Sequence, residues 1–71
     1  MDIRTKFKIG EVVWYKGYKE IFCSEIFKIN IEIKYDGKIV ILYELWNDAI
    51  KYENEIFASK EELLEYLTIK K

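Results

Sequence analysis

Catalysis and metal binding need side chains that move protons, attack an electrophile or hold a cation, and this 71-residue chain has few of them. It contains no histidine, one cysteine (Cys23) and three glycines, Gly10, Gly17 and Gly37, set apart from one another. A nucleophilic thiolate requires an activating base or cation at its side. Cys23 instead stands between Phe22 and Ser24 in an apolar run and reads as a small core residue. A single cysteine makes no intramolecular disulfide, which fits a reducing compartment. No zinc-ligand spacing, phosphate-binding glycine loop or catalytic triad can be assembled. Carboxylates are numerous, and Glu53 with Glu55, or Glu61 with Glu62 and Glu65, offer oxygen to a hard cation. Without calcium-loop spacing they read as solvated surface acids. The expectation is a protein that is not an enzyme and holds no cofactor and no metal.

Aromatic side chains are the richer resource, at 17% of the chain. Phe7, Phe27, Tyr43 and Phe57 follow the parity of their apolar neighbours or end strands, and are assigned to packing. Trp14, Tyr15, Tyr18, Trp46 and Tyr52 fall at strand and turn positions and are the candidate protein-binding anchors, since an aromatic cluster with a charged rim suffices for a protein interface. As an alternative, the same rings could stack on bases while Lys6, Lys8, Lys16 and Lys19 contact phosphates. Twelve basic and thirteen acidic residues leave a net charge of -1, so the cationic excess of a dedicated nucleic-acid binder is missing. A protein partner is therefore expected first and nucleic acid second. The charges are uneven, with basic residues concentrated in positions 1–20 and acids in 43–65.

These side chains must be positioned by few elements. No linker, repeat or low-complexity segment interrupts the chain, and one domain over 1–71 is expected, with strands at about 12–16, 20–35, 38–46, 49–53 and 55–58 and a helix at about 60–68. Between positions 27 and 35, Phe27, Ile29, Ile31, Ile33 and Tyr35 alternate with Lys28, Asn30, Glu32 and Lys34. Upstream the phase is disturbed, and a bulge near Cys23 to Ile26 would reconcile the two halves. A two-residue Asp36-Gly37 loop would mix polar and apolar residues on one face. A three-residue loop of Tyr35, Asp36 and Gly37 pairs Ile33 with Ile39, Ile31 with Ile41, Ile29 with Tyr43, Phe27 with Leu45 and Lys28 with Glu44, and is preferred. Ser59 followed by Glu62 forms a capping box for the helix. Its Leu63, Leu64 and Leu67 are expected to cover Val40 and Leu42, with Lys70 and Lys71 complementing the helix dipole.

The segment FKIGEVVWY resembles the entry into the first strand of many small SH3-like or Tudor-like barrels. ENEIFASKEELLEYL is similar to the closing strand and helix of small phage and mobile-element proteins from low-GC bacteria. The resemblance spans nearly the whole chain. It implies a mainly β, SH3-like, partly open barrel of about five strands with one C-terminal α-helix. It also implies an adaptor or inhibitor role, since some small phage proteins block host defence nucleases, CRISPR effectors among them. In such barrels a groove of aromatics beside acids receives a proline-rich peptide or a methylated cation, and Trp14, Tyr15, Tyr18, Trp46 and Tyr52 would line it. The packing alternative is that Trp14 or Trp46 plugs one barrel end. No apolar run approaches the roughly 20 residues that span a bilayer, and MDIRTKFKIG lacks the apolar centre of a signal peptide. A soluble cytoplasmic protein is expected, with a host protein as partner and no membrane, either monomeric or dimerised through a strand edge.

Overall fold

A computed structural model describes residues 3–69. Four strands follow one another as antiparallel neighbours: β1 (Val12–Lys16), β2 (Ile21–Ile33), β3 (Ile39–Leu45) and β4 (Ile50–Tyr52). They curl into a half-barrel, and one helix, α1 (Lys60–Ile69), ends the chain, in keeping with a mainly β expectation.

The β2–β3 register is the one the three-residue loop dictates, pairing Ile33 with Ile39, Ile31 with Ile41, Ile29 with Tyr43 and Lys28 with Glu44. Lys34 N donates to Lys38 O at 2.8 Å and Gly37 N to Lys34 O at 2.9 Å. Gly37 takes a φ of 88°, which a residue without a Cβ adopts freely. The same geometry recurs between β3 and β4. There Leu45 N donates to Ala49 O and Asp48 N to Leu45 O, at 2.9 and 3.0 Å, and Asp48 holds a φ of 70°. Trp46 is thus the first residue of a turn instead of the last of a strand.

The bulge lies at Phe27, just past the expected segment. Ile26 pairs with Leu45 and Lys28 with Glu44, so Phe27 is the extra residue. Two expectations change as a result. Phe27 does not pair with Leu45, and its ring packs on Trp46 with centroids 4.7 Å apart. Upstream of the bulge, Phe22, Ser24 and Ile26 share the inward face with Val13 and Tyr15, which puts Cys23 outside. Paired with Trp14, Cys23 is exposed and is not a core residue.

The core gathers Phe7, Val13, Tyr15, Ile26, Tyr43, Leu45 and Ile56, with Ile29, Ile41 and Ala49 against it. A fifth strand at 55–58 does not form. Glu53–Glu55 makes a 3-10 turn, and Phe57 makes only a single bridge to Trp14, each N–H donating to the other's carbonyl at 2.8 Å. Three residues between that turn and the helix cap leave room for no more. Ser59 Oγ accepts from Glu62 N at 3.2 Å, as the capping box requires. Because Phe57 anchors the chain to β1, α1 packs chiefly on β1, burying Leu63 and setting Tyr66 against Phe57 at 5.0 Å. The helix therefore does not form the expected cover over Val40 and Leu42, two strands away. Lys70 and Lys71 lie outside the described residues.

Candidate functional site

Strand length creates the site. β2 has 13 residues, but β1 pairs only with Ile21 to Glu25 of it. β4 pairs only with Leu42, Tyr43 and Glu44 of β3. The far half of the β2–β3 hairpin consequently has no strand on either side. The inward apolar row, well packed at Tyr43 and Leu45, continues onto this extension uncovered: Ile31, Ile33 and Ile39 are 44%, 54% and 41% exposed. Burying such side chains is worth about 25 cal/mol per Å², so leaving three exposed forgoes stability that another surface could recover.

The main chain is exposed in the same place. Since Lys34 N bonds across to Lys38, the even-numbered residues 28 to 34 direct their peptide groups at β3, and the odd-numbered Ile39, Ile41 and Tyr43 direct theirs away from β2. Tyr43 finds Lys51 of β4 there, whereas Ile39 and Ile41 have no strand beside them. Their side chains and Val40 form one wall of an open groove of about 510 Å³, completed by Tyr52, Lys6, Glu53 and Asn54. An unpaired strand edge in an apolar groove is a template for an added strand.

A polar network fixes the end of this groove. Tyr43 OH donates to Glu53 Oε2 at 2.6 Å and accepts from Phe7 N at 3.2 Å, while Lys6 N donates to the same Glu53 oxygen at 2.8 Å. Burial, with the hydrogen bond to Glu53 adding to it, pushes the Tyr43 hydroxyl from its ordinary value of 10.0 up to about 12. The network ties the N-terminal segment, β3 and the 3-10 turn together, so Lys6 and Glu53 stand at fixed positions on the rim.

The five aromatic candidates do not share one groove. Tyr52 alone among them lines the groove just described. Tyr15 is buried: its ring stacks on Phe22 at 5.7 Å, Lys51 Nζ sits 5.1 Å from the ring centroid, and its hydroxyl accepts from Asn47 Nδ2. It is a core residue and presents no binding surface. Trp14 is half-buried on β1 at the Phe57 bridge. Tyr18 is exposed beyond β1, with Lys19 Nζ 5.7 Å from its ring centroid. Trp46 is 66% exposed and lies on Phe27, so it plugs no barrel end.

The four candidate lysines are likewise divided. Lys6 lines the edge groove, and Lys16 lines a second groove of about 260 Å³ with Phe57, Leu63 and Tyr66. Lys8 is exposed beside the Gly10 turn, and Lys19 accompanies Tyr18. Among the described residues no group of three or more histidine, cysteine or acidic side chains is placed to hold a metal ion, and no helix is long and apolar enough to cross a membrane.

The residues that sequence reasoning overlooked are Ile31, Ile33, Ile39 and Ile41. A signal for them existed in the predicted lengths, since a five-residue strand at 12–16 cannot cover the outer edge of one at 20–35, nor a five-residue strand at 49–53 the whole edge of one at 38–46. No family model, curated protein or solved structure matches this chain.

Proposed function

We propose that this chain is a non-enzymatic protein-interaction module of SH3-like type, and that its partner contributes an extended segment laid along the free edge of β3. One observation carries the proposal: β4 stops opposite Leu42, leaving the peptide groups of Ile39 and the N–H of Ile41 without a strand beside them, in a groove walled by Tyr52, Lys6 and Glu53. Main-chain pairing supplies affinity, Tyr52 and the exposed Ile39 supply apolar contact, and the rim charges set orientation. The likeness of FKIGEVVWY and ENEIFASKEELLEYL to small phage and mobile-element proteins supports a host protein as the partner, such as a defence (CRISPR) nuclease. The alternative of a weak nucleic-acid binder draws less support, because its four lysines are spread over separate surfaces.

The test is affinity capture from lysate of a low-GC bacterium, followed by titration of the purified partner. Ile41→Pro removes a peptide N–H that points into the groove without touching the β2 ladder. That variant and Tyr52→Ala should each weaken binding at least tenfold, whereas Trp14→Ala should not. Undiminished binding by both groove variants would place the interface elsewhere. Binding to DNA or RNA that collapses between roughly 50 and 200 mM salt would favour the nucleic-acid alternative.

A further inference from the structure

The half-barrel has a seam, because β1 and β4 are the two ends of the strand order and are not paired with each other among the described residues. Along the free edge of β1, Trp14 exchanges main-chain bonds with Phe57, and the next pair in that line would be Lys16 with Glu55. Glu55 belongs instead to the 3-10 turn, so the seam beside Lys16 stays open. It forms the groove of about 260 Å³, lined by Phe57, Leu63, Tyr66 and Leu67 together with Lys16 and Lys51. Lys51 is half-buried, its Nζ 5.1 Å from the centroid of the Tyr15 ring, and neither it nor Lys16 makes an ion pair among the described residues. Half-burying an ammonium removes water that a carboxylate would normally replace. The acid that lines the groove, Glu55, already accepts from Tyr52 N at 2.8 Å through Oε1.

We propose that this groove binds a small monocarboxylate with an apolar body, the carboxylate held by Lys51 and Lys16 and the body laid on Phe57, Leu63, Tyr66 and Leu67. Two unpaired ammonium groups against one committed carboxylate leave the groove attractive to an anion. Its apolar lining selects an anion that carries a hydrophobic part, as in small-molecule sites where a few polar groups orient a largely apolar ligand. Size limits the body. At the ~30 Å³ that one water occupies, the groove takes about nine non-hydrogen atoms, which fits a carboxylate of roughly six carbons and is too small for a peptide. The site uses none of the main-chain groups of the β3 edge and does not rest on the function proposed above.

The test is a titration of the full chain with hexanoate, followed by amide chemical shifts, with hexanamide as the uncharged isostere. Hexanoate should shift Lys16, Lys51, Phe57 and residues 63–67 saturably, with half-saturation between about 0.1 and 20 mM. Hexanamide should bind at least tenfold more weakly. Lys16→Met and Lys51→Met, which keep the apolar stems and remove the charges, should each weaken hexanoate at least threefold. Lys16 is exposed, so its variant reads the site even where Lys51→Met fails to fold. No saturation by about 50 mM, equal affinity for hexanamide, or unchanged hexanoate affinity in either folded variant overturns the proposal. So does an acetylated tetrapeptide ending in leucine that binds at least tenfold more tightly than hexanoate, which would make the groove a site for a protein C-terminus.

Discussion

Tyr43 joins three parts of the chain through one hydroxyl: it donates to Glu53 on the 3-10 turn, accepts from Phe7 N, and its ring meets that of Phe7 edge-on with centroids 5.6 Å apart. Its folded-state pKa of about 12 against an ordinary 10.0 has a definite sign. The folded protein holds the proton more tightly than the unfolded chain, so the contribution is complete below pH 10 and is lost as pH rises through about 12. The shift corresponds to about 2–3 kcal/mol. Urea unfolding at about pH 8 should show Tyr43→Phe less stable than wild type by about 1–2 kcal/mol, the cost of the lost hydrogen bonds. At about pH 11.5 the gap should narrow or reverse, because only the wild type still pays for keeping that hydroxyl neutral. Asp48 gives an opposite expectation. Its φ of 70° is strained for a residue with a Cβ, so Asp48→Gly should stabilise the fold by about 0.5–1 kcal/mol and raise the melting temperature by a few degrees.

The β2–β3 hairpin was the most legible element, because a one-residue slip would have moved every isoleucine to the wrong face. The Asp36-Gly37 pair left two loop lengths open, and the alternation of Ile29, Ile31 and Ile33 decided between them. Placement of the bulge was less legible. Phe27 has the right parity for the downstream row and the size of a core residue, so nothing local marked it as the inserted position. Its ring packs on Trp46, a residue from the next turn, a contact distant in sequence that local periodicity does not reveal. Cys23 was misassigned by the same shift, since its orientation depends on which residue is counted as extra. The helix cap was fully local and therefore readable, whereas the strand under the helix was set by the Trp14–Phe57 bridge, which no periodicity reveals.

At the scale of the molecule, a half-barrel of four strands and one helix closes around Phe7, Tyr43 and Leu45 but stops short of the hairpin end. A chain this short buries only about 60% of the surface its unfolded form exposes, and part of the shortfall here lies on the projecting hairpin, at Ile31, Ile33, Tyr35 and Ile39. Composition argued for aromatic anchors, yet the aromatics divide between core, turn and groove, and the apolar wall at the unpaired strand edge includes isoleucines that looked like ordinary core. Residue-resolved amide hydrogen exchange on dilute protein tests the two open edges most directly. The amides of Glu32 and Val40, bonded within the hairpin, should be protected, while those of Ile31, Ile33, Ile39 and Ile41 exchange at least tenfold faster. Uniform protection along both strands in dilute protein would mean that the edges are already covered, and would contradict the account.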